Sequence, residues 1–174
     1  YYALKVIRSG RPGEPTNIPE GSGYVSWAID ALEWCLDPSH KPDIINMSFG
    51  LYTISDILGE KTAFNLACQN AYDAGIILVG ASGNEGGADP VYPARFDSVI
   101  AVGALSFDQT VPSYSSGGVD FVAPGGTDPY GPEDWIRVWG VDRGTWRNTG
   151  TSFAAPHVSG LMALQLQYSR NIYK

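Results

Sequence analysis

Short apolar runs alternate along this chain with stretches whose apolar positions recur at helical spacing. Leu4–Ile7 reads as a strand, and Tyr24–Leu36 as a helix with Val25, Ala28, Ile29, Leu32 and Cys35 in three- and four-residue steps. Ile44–Ser48 and Ile76–Val79 are apolar enough to be strands buried on both faces, a mark of parallel pairing. Between them Lys61–Ala74 predicts a helix closed by Gly75. Val99–Ala104 predicts a further strand, Phe121–Ala123 a short one, and Ser152–Gln167 a long, mostly apolar helix. Strands and helices in this alternation predict an α/β fold with a largely parallel sheet. Pro124–Thr149 breaks the pattern with Gly125-Gly126, Asp128-Pro129, Gly131-Pro132, Trp135, Trp139 and Trp146. It is too long for an ordinary connection and predicts an irregular excursion with a small hairpin around Ile136–Val141.

Composition narrows the class. The 174 residues are about one domain, and 44% hydrophobic with 17% charged residues is a globular balance. Such a chain buries roughly 70% of its unfolded surface. Acidic residues (18) exceed basic ones (11), and this argues against nucleic-acid binding, which depends on basic surface. No apolar run approaches the ~18 residues of a membrane span. Two cysteines exclude a disulfide-dense scaffold. The chain opens Tyr1-Tyr2-Ala3-Leu4-Lys5-Val6-Ile7, without Met or a signal-peptide layout, and is expected to be part of something longer.

In open α/β sheets chemistry gathers at the carboxyl ends of strands. Three segments fall there: Ile45–Gly50, Val79–Gly86, and Gly150–His157 at the start of the long helix. Ser152 sits at that helix start, where free backbone N–H groups and the positive end of the dipole lie close by. Capping is the commonest job of a serine there. Gly150, just before Thr151-Ser152, also permits a tight turn that exposes the hydroxyl. Asn84, between Gly83 and Glu85, is a turn residue by default, or an amide donor aimed at developing negative charge. The glycines Gly80, Gly83 and Gly86 space as G-x-x-G-x-x-G, a poor match to a dinucleotide-binding loop.

Together these segments resemble the subtilisin family of serine proteases, the subtilases. Ile45-Asn46-Met47-Ser48-Phe49-Gly50 is similar to the family's substrate-pocket strand and Gly83-Asn84-Glu85-Gly86 to its oxyanion-hole loop. Gly150-Thr151-Ser152-Phe153-Ala154-Ala155-Pro156-His157-Val158-Ser159-Gly160 resembles the nucleophile motif almost residue for residue. Weaker matches at Tyr2–Val6, Gly21–Gly23 with Trp27, Tyr92-Pro93, Val99–Ala104 and Phe121–Gly125 follow in the family's order. The resemblance implies a doubly wound, mostly parallel sheet with helices on both faces, truncated here at both ends. It implies Ser152 as nucleophile, with Asn84 and the Ser152 backbone N–H as oxyanion donors. Gly21, Ser22 and Gly23 would pair with an extended substrate. Ser48, Phe49 and Gly50 would form one wall of the pocket for the residue before the cut, and Ala81, Ser82 and Gly83 the other. Glycines on both walls imply room for sizeable apolar side chains. The family also implies protein or peptide substrates, an N-terminal propeptide, secretion, a monomer, and calcium. A weak cation site of backbone carbonyls is expected near Ala94, Phe96 and Val99.

A serine hydroxyl needs a neighbouring base. The family's triad runs Asp, His, Ser along the chain, and only the serine is matched. His157 lies five residues after Ser152, about 140° around the helix, and the motif's histidine at this place is structural. His40 is read as an exposed loop residue, and Asp43 as an ordinary strand-entry residue. The triad Asp and His are therefore expected upstream of Tyr1, and the chain alone is expected to lack useful peptidase activity. A degenerate pseudoprotease is the rival reading. An α/β-hydrolase would want G-x-S-x-G, and Gly-Thr-Ser-Phe-Ala lacks its second glycine. A nucleotide binder would want an acidic residue ending the strand after the Gly80–Gly86 loop, and that strand ends at Gly103-Ala104. Cys35 and Cys68 fall at apolar helix positions and read as buried free thiols, with a single disulfide as the alternative. Tyr130, Trp135, Trp139 and Trp146 are expected to pack their long loop onto the body, with extra substrate contacts as the other reading.

Overall fold

The computed structural model describes residues 2–9, 17, 19–51, 59–87, 89–127, 136–139 and 144–172. Tyr1, Tyr130, Trp135 and Val141 lie outside them. The elements are α1 (Val25–Trp34), β1 (Ile44–Met47), α2 (Glu60–Asp73), β2 (Ile77–Ala81) and β3 (Ile100–Leu105). They continue with β4 (Phe121–Pro124), β5 (Ile136–Trp139), β6 (Thr145–Asn148) and α3 (Thr151–Ile172). Strands β1 to β4 form one sheet in chain order, and every neighbouring pair is parallel. Strands β5 and β6 form a separate antiparallel hairpin.

Parallel strands covered on both sides must be apolar on both sides, and β2 shows it. Leu78 and Val79 are both buried but point to opposite faces. Leu78 joins Leu32 of α1 and Phe64, Ala67, Cys68 and Ala71 of α2. Val79 and Ala81 meet Val102, Ala123 and the Ala154, Ala155 and Val158 side of α3. Ala154 and Ala155 are fully buried, and their small side chains let α3 lie close across the sheet. Each fully buried Leu, Val or Phe stabilises the fold by about 1.5–3 kcal/mol.

Gly75 ends α2 as expected. It sits at φ +81°, and its N–H bonds the Tyr72 carbonyl at 2.8 Å while that of Ile76 bonds Ala71 at 3.1 Å. These are the two bonds of a left-handed helix stop that favours glycine. The long helix runs beyond the expected Gln167 to Ile172. No breaker follows Gln167, and Arg170 in the last turn suits the negative helix end and bonds Asp43.

Three expectations change. Leu4–Ile7 is not a strand: it lies against α1, lining a cleft with Trp27, Ala31 and Trp34, and the backbone of Arg8 exchanges bonds with Gly21 and Ser22 instead. The hairpin's second strand is Thr145–Asn148, past the expected span. Trp139 and Trp146 are exposed rather than packed on the body, because β5 and β6 pair only with each other among the described residues.

Cys35 and Cys68 are free and buried, as expected. Burial pushes the Cys68 thiol up to about 12, so its reactive thiolate is scarce at neutral pH. Native protein at pH 8 should leave Cys68 unmodified by iodoacetamide, and denaturation should expose it. Rapid modification of the folded chain, mapped by peptide mass, would contradict this packing.

Candidate active site

The carboxyl ends of β1 and β2 are adjacent, with Met47 in register with Gly80, and the amino end of α3 docks against both. Pro156 lies inside α3. Proline has no N–H, so the carbonyl four residues earlier, that of Ser152, lacks its helical donor. The Ser48 hydroxyl fills the place, donating to the Ser152 carbonyl at 2.8 Å. In return the Ser152 hydroxyl donates to the Ser48 carbonyl at 3.1 Å. Strand end and helix start are thus joined by two crossing bonds, and Ser152 stays half-buried at the surface.

Asn84 comes to the same place from the β2 loop. Its Oδ1 accepts from the Thr151 N–H at 2.9 Å and the Thr151 hydroxyl at 3.0 Å. A backbone N–H can only donate, so this contact fixes which end of the amide faces Thr151 and turns the NH₂ group away. The Thr151 hydroxyl also accepts from the Gly83 N–H at 3.1 Å, so one buried side chain ties loop to helix. Gly150 supplies the clearance: at φ +142° it favours no side chain, and an added Cβ would stand 3.2 Å from Asn84 Nδ2. Of the first backbone N–H groups of α3, that of Thr151 is held by Asn84 and that of Phe153 bonds the Gly150 carbonyl at 3.0 Å, and the Ser152 N–H between them has no helical acceptor. The result is a hydroxyl and oriented donors at one helix end, suited to a carbonyl that becomes an oxyanion.

Neither histidine joins them. His157 is exposed, and its Nδ1 bonds the Phe153 carbonyl of its own helix at 2.7 Å. A carbonyl only accepts, so that nitrogen carries the proton. His40 is not the exposed loop residue expected: it stacks flat on Trp34, ring centroids 3.5 Å apart, which shields it. Asp43 stands at the opposite, amino end of β1, where the Arg170 guanidinium holds its carboxyl below the usual range. Among the described residues, Ser152 Oγ has only the Ser48 carbonyl as a hydrogen-bond partner.

The two expected pocket walls, Ser48–Gly50 and Ala81–Gly83, do lie side by side. Between them stands Val91, which no motif had flagged. Its N–H bonds the Ser82 carbonyl at 2.8 Å, while Tyr92 beside it exchanges two backbone bonds with Leu51. A Cβ on Gly50 would collide with one γ-methyl of Val91, and a Cβ on Gly83 would come within 2.7 Å of the other. The bare walls therefore accommodate Val91, and the expectation of room for sizeable apolar side chains is revised. Gly21, Ser22 and Gly23 run just ahead of α1, beside Arg8; Gly23 is bare because the Val6 carbonyl sits where its Cβ would be.

Ala94, Phe96 and Val99 are buried, and the Phe96 carbonyl accepts the Val99 N–H at 2.9 Å. Calcium takes six to eight oxygens, commonly with carboxylates among them. Three neutral carbonyls, one already engaged, do not by themselves make a calcium site. Among the described residues no group of three or more His, Cys, Asp or Glu side chains comes together to hold a metal.

The model of the subtilase family matches residues 15–173. The chain belongs to the subtilase family. Among curated relatives of this subtilase, Subtilisin E of Bacillus subtilis (strain 168) is 37% identical over 175 residues, covering 95% of this chain and 38% of that protein. The Major intracellular serine protease of the same organism is 35% identical over 161 residues, 88% of this chain and 46% of its own length. The crystal structure of a cold adapted subtilisin-like serine proteinase superposes with a TM-score of 0.71 at 33% identity, over 85% of this chain and 50% of that one. The chain thus spans half or less of the relatives named here, and its parallel sheet with helices on both faces is their fold.

Proposed function

We propose that the chain is the serine-bearing part of a subtilisin-type serine endopeptidase. The observation that supports this best is the Asn84 amide, whose Oδ1 is locked on Thr151, the neighbour of Ser152, so that its NH₂ group faces away from that contact. Ser152 Oγ attacks the peptide carbonyl while a base takes its proton. The new oxyanion is held by Asn84 Nδ2 and the Ser152 N–H. The base then protonates the leaving amine, and water hydrolyses the acyl-enzyme in a second step. We assign base and orienting carboxylate to a His and an Asp outside this chain, because Ser152 donates to the Ser48 carbonyl and to no base among the described residues. Protein or peptide substrates, an N-terminal propeptide, a monomeric state and an extracellular location follow from the resemblance. The same lack of a base favours, as second reading, a peptide-binding module without catalysis.

A fluorophosphonate probe separates the two. The chain alone should label little, and the protein carrying the Asp and His segments should label rapidly at Ser152. Absence of labelling in both would leave only the binding module. Val91 adds a specificity prediction: small residues before the cut should be preferred. Val91→Ala should raise kcat/KM for Leu or Phe at that position by about tenfold or more, since each methylene in such a pocket is worth roughly 1–3 kcal/mol. A wild type that already cleaves after Phe as readily as after Ala would refute it.

A further inference from the structure

We propose that Asn46 and Ser159 are positioning residues for Ser152, acting through Ser48. The inference rests on Ser152 being the nucleophile, and it starts from the carbonyl that Pro156 leaves without a helical donor. The Ser48 hydroxyl has a single proton, and it goes to that carbonyl. Its lone pairs are then free to accept, and Asn46 Nδ2 donates to Ser48 Oγ at 2.8 Å. The other end of the Asn46 amide, Oδ1, accepts from Ser159 Oγ at 3.1 Å. Ser159 lies on α3 seven residues beyond Ser152, two turns further along the same face.

Strand β1 is therefore attached to α3 at two points on one helix face. Packing of Ala154, Ala155 and Val158 and the Thr151–Asn84 bonds already restrain the roll of α3, and the second attachment, two turns along, narrows it further. That rotation decides the direction in which the Ser152 side chain leaves the first turn. Misplacement by about 1 Å is enough to lower a rate 10²-fold. Asn46 is also the polar interruption of the apolar run Ile44-Ile45-Asn46-Met47. Ile45 and Met47 pack with α1 and α2, whereas Ile44, alternating with them as Asn46 does, packs with the α3 side. Position 46 is exposed, and what singles out the residue there is that its one amide holds both Ser48 and Ser159. Ser159 Oγ also lies 3.1 Å from the Ala155 carbonyl of its own helix, so its proton is shared between two acceptors. Asn46 should accordingly matter more than Ser159.

Two readouts keep this proposal separable from the nucleophile reading. In the chain as it stands, the ¹³C signal of the Ser152 carbonyl reports the Ser48 bond. Ser48→Ala should move it fully, Asn46→Ala and Ser159→Ala part of the way in that order, and Ser159→Thr not at all. In a form of the protein that hydrolyses peptides, kcat should fall about tenfold for Asn46→Ala and about threefold for Ser159→Ala, with KM unchanged and Ser159→Thr restoring the rate. An unmoved carbonyl signal in the folded Ser159→Ala variant overturns the proposal. So does a moved signal with kcat intact, or a change confined to KM. If the signals behave as expected while the wild type hydrolyses nothing, the nucleophile reading falls and the Ser159–Asn46–Ser48 link to the Ser152 carbonyl stands.

Discussion

In a form of the protein that carries the Asp and His segments, replacing Ser152 with alanine is expected to abolish peptide hydrolysis and fluorophosphonate labelling while leaving the fold in place. Loss of a subtilisin nucleophile lowers kcat about 10⁶-fold, a size measured on subtilisin itself and taken over for this relative. The structural side follows from the geometry. Of the two bonds between Ser48 and Ser152, one runs from the Ser48 hydroxyl to the Ser152 carbonyl and does not involve the removed side chain. Only the bond from Ser152 Oγ to the Ser48 carbonyl is lost. A neutral hydrogen bond contributes about 0.5–1.5 kcal/mol, and for a chain of this size about 1 kcal/mol lowers Tm by about 2–4 °C. Calorimetry and labelling of the same preparation check both halves. A variant that still labels, at Ser48 for instance, would move the nucleophile elsewhere. One that fails to fold would mean that the Ser152 side chain holds the helix start more than its single bond suggests.

How much of this was legible beforehand depends on the range of the interaction concerned. The strands at Ile44, Ile77 and Ile100 and the Gly75 helix stop are written in neighbouring residues. So are the Ser152 and Asn84 motifs. Thr151 was visible inside its motif, but its job was not: its partners Gly83 and Asn84 lie 68 and 67 residues away. Whether they meet depends on how α3 crosses the sheet. Val91 is likewise an ordinary apolar residue in sequence. It becomes a wedge only because Leu51 and Ser82 bring two distant strand ends to either side of it. Leu4–Ile7 failed as a strand for the converse reason, since periodicity shows that a segment is apolar but not which surface receives it. Trp139 and Trp146 were expected to be covered as large apolar residues usually are, and a two-stranded hairpin leaves them at 79% and 58% exposure.

Converting Asn84 to alanine should cut kcat by about 10²–10³ with KM little changed. That magnitude is the one established for the side-chain oxyanion donor of subtilisin, and is carried to this relative rather than computed from its geometry. The direction and the KM–kcat split follow from the proposed role. An NH₂ group that meets an oxygen bearing charge only as the tetrahedral species forms adds to transition-state binding and not to substrate binding, so removing it lowers kcat. Thr151→Val should reproduce part of the effect. It keeps the Thr151 N–H bond to Oδ1 at 2.9 Å but removes the hydroxyl that holds the same atom at 3.0 Å. It also leaves the Gly83 N–H without its acceptor, at a cost of about 1–3 kcal/mol in stability. Thr151→Val should therefore be slower and less stable, Thr151→Ser close to wild type, and Asn84→Ala slower and also less stable, since it leaves the Thr151 N–H and hydroxyl without their acceptor. Steady-state kinetics with one peptide series and a melting curve for each variant give the comparison. A raised KM with intact kcat in Asn84→Ala would mean that the amide holds the substrate rather than the oxyanion. The Ser152 N–H would then be the oxyanion donor by itself.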